Sequence, residues 1–283
     1  MYKNYASKTL RENHLRAHQG TCYKETRHDE KNRRSIRVEG KIHSIESMGL
    51  VDGPGIRTVV FMQGCDLRCK FCHNPDTWAM DSSQVKRMTP GQLVEKVQRF
   101  RPYYGQEGGV TFSGGEPLLQ PEFLEEGLSL LKEVGIHTCL DTAGVGMEDY
   151  DYTEILRNTD LVLLDIKQVT SEKYQEMTGK SWDRFQAFQK LLKKMGTPVW
   201  IRHVMVPGLT FGEAHVKELE AYLQDIPNIQ KVELLPYHVL GVHKYQKLGI
   251  HYPLEHVRTV APEEVADWER RLNQSIVINQ STG

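Results

Sequence analysis

The chain has 283 residues, 39% of them hydrophobic and 26% charged, enough to bury a full core as one large domain or two small ones. Its 36 Lys and Arg against 37 Asp and Glu give a formal charge of -1, which argues against a nucleic-acid or membrane surface. No apolar run approaches the roughly 20 residues that span a bilayer and no secretory leader pattern appears, so a cytoplasmic location is expected.

Residues 1-37 are rich in Lys, Arg, His, Asn and Glu, with few aliphatic side chains and no helical or strand period, which predicts a disordered basic leader ahead of one folded domain over 38-283. Glu12, Glu25, Asp29 and Glu30 weaken a targeting-peptide reading, and Cys22 is assigned no role. Beyond it, runs rich in Val, Ile, Leu and Thr predict strands at Arg57–Gln63, Gly109–Ser113, His137–Asp141, Leu161–Lys167, Pro198–Val206 and Lys231–Pro236. Amphipathic stretches predict helices near 90-101, 121-134, 148-158, 182-195, 212-224 and 262-276, with Pro90 and Pro121 in first turns where the missing N–H costs little. Alternating strand and helix means parallel strands with right-handed crossovers. The expected fold is therefore α/β, an incomplete, three-quarter TIM-like barrel of about six βα units.

Three of the five cysteines fall in Cys65-Asp66-Leu67-Arg68-Cys69-Lys70-Phe71-Cys72, a C-x3-C-x2-C loop directly after the first predicted strand. Clustered thiols in a chain without a disulfide framework read as metal ligands in a reducing compartment. Thiolates suit iron-sulfur clusters and zinc. An electron-carrying 4Fe-4S cluster takes four cysteines, so three leave one iron open to a substrate. A structural zinc site completed by His43 or His73 is the competing assignment, as part of a non-catalytic scaffold. Cys139, with apolar neighbours, reads as a small buried side chain.

Chemistry in such barrels gathers at the C-terminal ends of the strands, and the polar residues here fall there. The cysteines follow the first strand, Ser113-Gly114-Gly115-Glu116 the second, and Asp141-Thr142 ends the third. Asp165 and Lys167 end the fourth, Arg202 and His203 lie in the fifth, and Pro236-Tyr237-His238 ends the sixth.

The cysteine spacing with an aromatic before the last cysteine, followed by Ser-Gly-Gly-Glu at the next strand end, resembles the radical S-adenosylmethionine superfamily. Val51-Asp52-Gly53-Pro54-Gly55-Ile56-Arg57 and Cys72-His73-Asn74-Pro75 resemble its glycyl-radical activating branch, and the similarity runs over about residues 38 to 250. The resemblance implies one 4Fe-4S cluster held by Cys65, Cys69 and Cys72. It also implies reductive cleavage of S-adenosylmethionine to methionine and a 5′-deoxyadenosyl radical, which takes a hydrogen from one glycine Cα of a partner enzyme. With no cysteine between Cys72 and Cys139, the single-cluster type acting on pyruvate formate-lyase is favoured over activases of other glycyl-radical enzymes.

By the same resemblance, Phe71, Cys72 and His73 line the adenine, and Gly115 approaches the methionine end. Asp165, Ile166, Lys167 and His238 hold the ribose and carboxylate, with Arg202 adding charge. Asp141, Thr142 and Asp165 form a monovalent cation site, and Asp52 and His73 meet the partner's glycyl loop. Reduced flavodoxin or ferredoxin is the implied electron donor, and a monomer the implied state.

Overall fold

The computed structural model describes residues 38-226 and 228-281, so the expected leader lies outside the described residues. Eight strands form one sheet in the order β3-β1-β2-β4-β5-β6-β7-β8. They are β1 (Gly40–Gly49), β2 (Arg57–Met62), β3 (Lys86–Met88), β4 (Gly109–Gly114), β5 (His137–Thr142), β6 (Leu161–Asp165), β7 (Val199–Met205) and β8 (Ile229–Pro236). The run β2-β4-β5-β6-β7-β8 is parallel throughout, while β1 runs antiparallel to both β2 and β3. Since β3 and β8 end the sheet without pairing, the barrel stays open.

The parallel strands are the six predicted from sequence, within two residues at each end. The antiparallel additions β1 and β3 were not predicted. β1 (GKIHSIESMG) mixes Ser, Glu and His with two isoleucines and carries bulged register against β2, so its alternation is weak.

Helices α1 (Pro90–Gln98), α2 (Arg101–Tyr104), α3 (Pro121–Glu133), α4 (Thr153–Arg157), α5 (Ser171–Thr178), α6 (Asp183–Met195), α7 (Glu213–Leu223), α8 (Val242–Leu248) and α9 (Pro262–Ser281) fill the connections. α1 starts on a capping box between Thr89 and Gln92 with Pro90 in its first turn. α2, α5 and α8 were not predicted: α5 is eight residues of mostly polar sequence, stabilised by packing rather than by its own pattern. The stretch 148-158 is helical only over Thr153–Arg157.

Period-two alternation divides the strands between two apolar clusters. Val60, Met62, Val110, Phe112, Leu140, Val162, Leu164, Ile201 and Val232 join the main core with Phe123, Leu128, Phe185 and Leu219 of the helices. Cys139, Leu161 and Leu163 form a second cluster with Trp200 on the opposite, inner face. Two residues further along that same face stand Asp141, Asp165 and Arg202. The inner wall thus changes from apolar at the N-terminal end to charged at the C-terminal end.

Candidate active site

The cysteine loop leaves β2 and is held by its main chain from several sides. Gly64 and Cys65 donate to the carbonyls of Thr77 (2.8 Å) and Trp78 (3.4 Å), and Arg68 and Lys70 to those of Thr178 (2.8 Å) and Met177 (3.0 Å) at the end of α5. The Arg68 guanidinium donates to the Cys65 and Leu67 carbonyls at 2.9 and 2.7 Å, and the Tyr245 hydroxyl to the Cys72 carbonyl at 3.0 Å. Cys69 is buried, and Cys65 and Cys72 are half-buried. Burial pushes all three thiols up, Cys69 to about 12 although the nearby Lys167 charge opposes the rise. Such thiols become good ligands only when a metal replaces their protons.

Among the described residues no three His, Cys, Asp or Glu side chains converge on one point closely enough for a single metal ion. A cubane cluster places each thiolate on a separate iron and asks for no such convergence, whereas a tetrahedral zinc site does. The two histidines offered as a fourth zinc ligand are engaged elsewhere. His43 Nε2 lies 3.2 Å from Asp76 Oδ2, and His73 Nε2 donates to the His238 carbonyl at 2.8 Å with the two rings stacked 4.0 Å apart.

The Ser113-Gly114-Gly115-Glu116 turn after β4 packs against the root of that loop. Gly115 N–H donates to Met62 O at 2.9 Å and Glu116 N–H to Gly64 O at 2.8 Å. A Cβ on Gly115 would sit 2.3 Å from the Gly64 carbonyl oxygen, so no side chain fits. On the far side of the loop, Gly241 presses against His73, where a Cβ would fall 2.7 Å from its Cα.

The charged inner wall lies beside this turn. Ser113 Oγ donates to Asp141 Oδ2 at 2.5 Å, and Arg202 Nη1 stands 3.3 Å from the same oxygen. Arg202 Nε is within ion-pair range of Glu233 at 3.7 Å but has no hydrogen-bond partner among the described residues, and Asp141 Oδ1 has none there either. These are two buried polar atoms with unused valence at the place expected for a charged ligand. Burial raises the Asp141 carboxyl, opposed by the Arg202 charge, while Arg202 itself is held up by Asp141 and Asp165 against burial. Lys167 Nζ donates to Asp165 Oδ2 at 2.7 Å and stands 5.3 Å over the Phe71 ring, joining the cysteine loop to the end of β6. The Asp52 carboxyl is also raised by burial, with the Arg202 charge opposing the rise, and its main-chain carbonyl accepts from Thr111 Oγ1 at 2.7 Å. The Thr142 hydroxyl is engaged otherwise: it donates to Glu116 Oε1 at 2.5 Å and accepts from Gly144 N–H at 2.9 Å.

Three contributors have no individual role assigned by the motifs. Glu116 is fully buried, takes Thr142 Oγ1, Ala143 N (2.9 Å) and Leu118 N (3.1 Å), and is pushed to about 7 by burial. Ser113 and Glu233 complete the surroundings of Asp141 and Arg202. Ser113 and Glu116 sit in the quoted motif and were within reach. Glu233 becomes visible only through strand register, where it is the partner of Arg202.

The description Radical SAM superfamily matches residues 59-219. A relative from Clostridium pasteurianum named pyruvate formate-lyase-activating enzyme is 53% identical over 238 residues, covering 84% of this chain and 98% of its own length. One of the same name from Streptococcus mutans is 44% identical over 242 residues, covering 84% and 92%. The solved structure of Streptococcus suis SuiB bound to precursor peptide SuiA aligns with 89% of this chain and 50% of its own at TM-score 0.55 and 18% identity, a likeness of fold. On these matches the chain belongs to the radical SAM superfamily and, within it, to the pyruvate formate-lyase-activating enzymes.

Proposed function

We propose that the chain activates pyruvate formate-lyase by raising a glycyl radical on it, with one 4Fe-4S cluster and S-adenosylmethionine as cofactors. The observation that carries this is the fixed loop of Cys65, Cys69 and Cys72 packed root to root with the Gly115 turn and facing a charged wall with unused valence. The fourth described cysteine, Cys139, sits apart on the inner face with Leu161 and Leu163.

When bound, the reduced cluster would supply the electron for reductive cleavage of S-adenosylmethionine. Cys65, Cys69 and Cys72 would hold the cluster, and the main-chain bonds to Thr77, Trp78, Met177 and Thr178 fix the loop that carries them. Gly115 lets the methionine end lie against the turn. Arg202 and Lys167 attract its carboxylate, Asp165, Ile166 and His238 take the ribose side, and Phe71 and His73 flank the adenine. A monovalent cation beside Asp141 and Asp165, with the Thr142 main chain, would offset their charge. Asp52 and His73 receive the partner's glycyl loop through the open side of the barrel.

We extend this reading to reduced flavodoxin or ferredoxin as electron donor, to a cytoplasmic monomer, and to a single domain over 38-283, on the strength of the family resemblance. No helix of the described residues is long and apolar enough to cross a membrane. The test is electron paramagnetic resonance of the anaerobically reconstituted, reduced protein mixed with S-adenosylmethionine and pyruvate formate-lyase. A glycyl doublet on the partner is expected, and its absence in the presence of a competent cluster signal sinks the assignment of partner.

A further inference from the structure

β6 ends at Asp165, and just beyond it Asp165 and Lys167, two residues apart, are paired with each other at 2.7 Å. Ile166 N–H still donates to Arg202 O at 2.9 Å. Its carbonyl accepts from the imidazole of the next β7 residue: His203 Nδ1 lies 2.6 Å from Ile166 O. His203 is 1% exposed and stands on the outer face of β7, opposite to Arg202, against α7.

The tautomer follows from donors and acceptors. A carbonyl only accepts, so Nδ1 of His203 carries a hydrogen. Buried, and with no carboxylate in hydrogen-bond reach among the described residues, the ring is neutral and its Nε2 is bare. That nitrogen lies 2.9 Å from His215 Nε2, which must then be the donor. His215, on α7, faces Glu218 at 3.9 Å, and Glu218 pairs with Lys173 of α5 at 2.6 Å. A line of polar groups, broken by the 3.9 Å step between His215 and Glu218, thus runs from the surface between α5 and α7, through two imidazoles, to the carbonyl lying between Asp165 and Lys167.

We infer that His203 is a positioning residue for the cofactor site, its Nδ1–H fixing the Ile166 carbonyl so that Asp165 and Lys167 project to the same side of the inner wall, with His215 holding His203 in the required tautomer. The role is the one outer partners play for metal-ligating side chains, where their loss weakens binding by about 10-fold to 100-fold. The inference rests on the reading that Asp165 and Lys167 contact S-adenosylmethionine. A buried histidine that merely fills space would contribute to stability and nothing more, and the two roles separate by experiment.

The measurement is the dissociation constant of S-adenosylmethionine for the cluster-loaded enzyme, by anaerobic titration calorimetry, alongside thermal denaturation. His203→Leu removes the donor and should weaken binding about tenfold. His203→Asn, whose amide N–H can take the place of Nδ1–H, should restore most of it. Leu219→Ala, a truncation on the same helix as His215, should lower the melting temperature and leave the affinity within about twofold. Parent-like affinity in His203→Leu, or no recovery in His203→Asn, overturns the inference. Should His203→Leu fail to fold, imidazole ¹⁵N shifts of the parent protein decide: protonation of His203 on Nε2 instead of Nδ1 overturns it. Asp165→Asn and Lys167→Met test the underlying reading separately. If they too leave affinity unchanged, the site assignment falls; if they weaken binding while His203→Leu does not, only the role of His203 falls.

Discussion

Glu116 accepts the hydroxyl hydrogen of Thr142 at 2.5 Å, a bond between the turn after β4 and the end of β5 that draws the root of the cysteine loop and the charged wall into one unit. The same carboxylate takes the Ala143 N–H at 2.9 Å, and its own N–H reaches Gly64 O at 2.8 Å. A single buried residue, through its main chain and its carboxylate, therefore indexes three strand ends against one another.

Replacing any one of Cys65, Cys69 or Cys72 with Ala should abolish glycyl-radical formation and leave less iron bound after reconstitution. Iron and sulfide analysis, with the visible absorption of the reconstituted protein, checks this. Parent-like turnover in any of the three removes that residue from the ligand set.

Gly115→Ala places a methyl 2.3 Å from the Gly64 carbonyl oxygen, which belongs to backbone and cannot rotate away. Relief requires the turn and the cysteine loop to part, at about 1–3 kcal/mol by analogy with overpacked cores. Lower S-adenosylmethionine affinity and a lower unfolding midpoint are expected together. An unaltered affinity would mean that the turn does not border the cofactor.

Arg202→Met leaves the buried Asp141 carboxylate without its cation at 3.3 Å. Removing one member of a buried pair costs roughly 3–5 kcal/mol because the other charge remains uncompensated. Adding Asp141→Asn should recover part of that loss, a coupling of about 1 kcal/mol or more in a double-mutant cycle of urea unfolding. Strict additivity of the two changes would show that the pair contributes nothing to folding.

His203 is pushed down to about 3, first by burial and then by the neighbouring His215, with the Ile166 carbonyl acting in the opposite direction. Because the folded value lies below the unfolded value of about 6.5, the unfolded chain binds a proton between these limits that the folded chain refuses. Stability contributed by the neutral ring is complete above about pH 6.5 and is lost as the pH falls. Between pH 7.5 and 5 the loss from this site is about 2 kcal/mol. Urea unfolding of the parent and of His203→Asn at both pH values measures it: the variant should show the smaller difference, and equal differences would contradict the burial of a neutral imidazole.

What could be recognised from sequence was local. The cysteine spacing, the Gly-Gly turn and the six parallel strands each lie within a short window, and their residue types carry the chemistry directly: thiols for iron, absent side chains for close approach, β-branched runs for buried strands. The antiparallel β1 and the short helix Ser171–Thr178 escaped because their patterns are weak and tertiary packing holds them. The strand ends could be placed near one rim, but not the pairing of the groups on it. Glu116 with Thr142, Ser113 with Asp141, Arg202 with Glu233 and His203 with Ile166 are 26 to 37 residues apart. Each depends on the register between parallel strands and on which face a residue meets, and a slip of one residue would send every one of these side chains to the opposite side of the sheet. The sequence alone determined the chemistry this chain carries; tertiary register decided which charged groups face that chemistry and which brace it from behind.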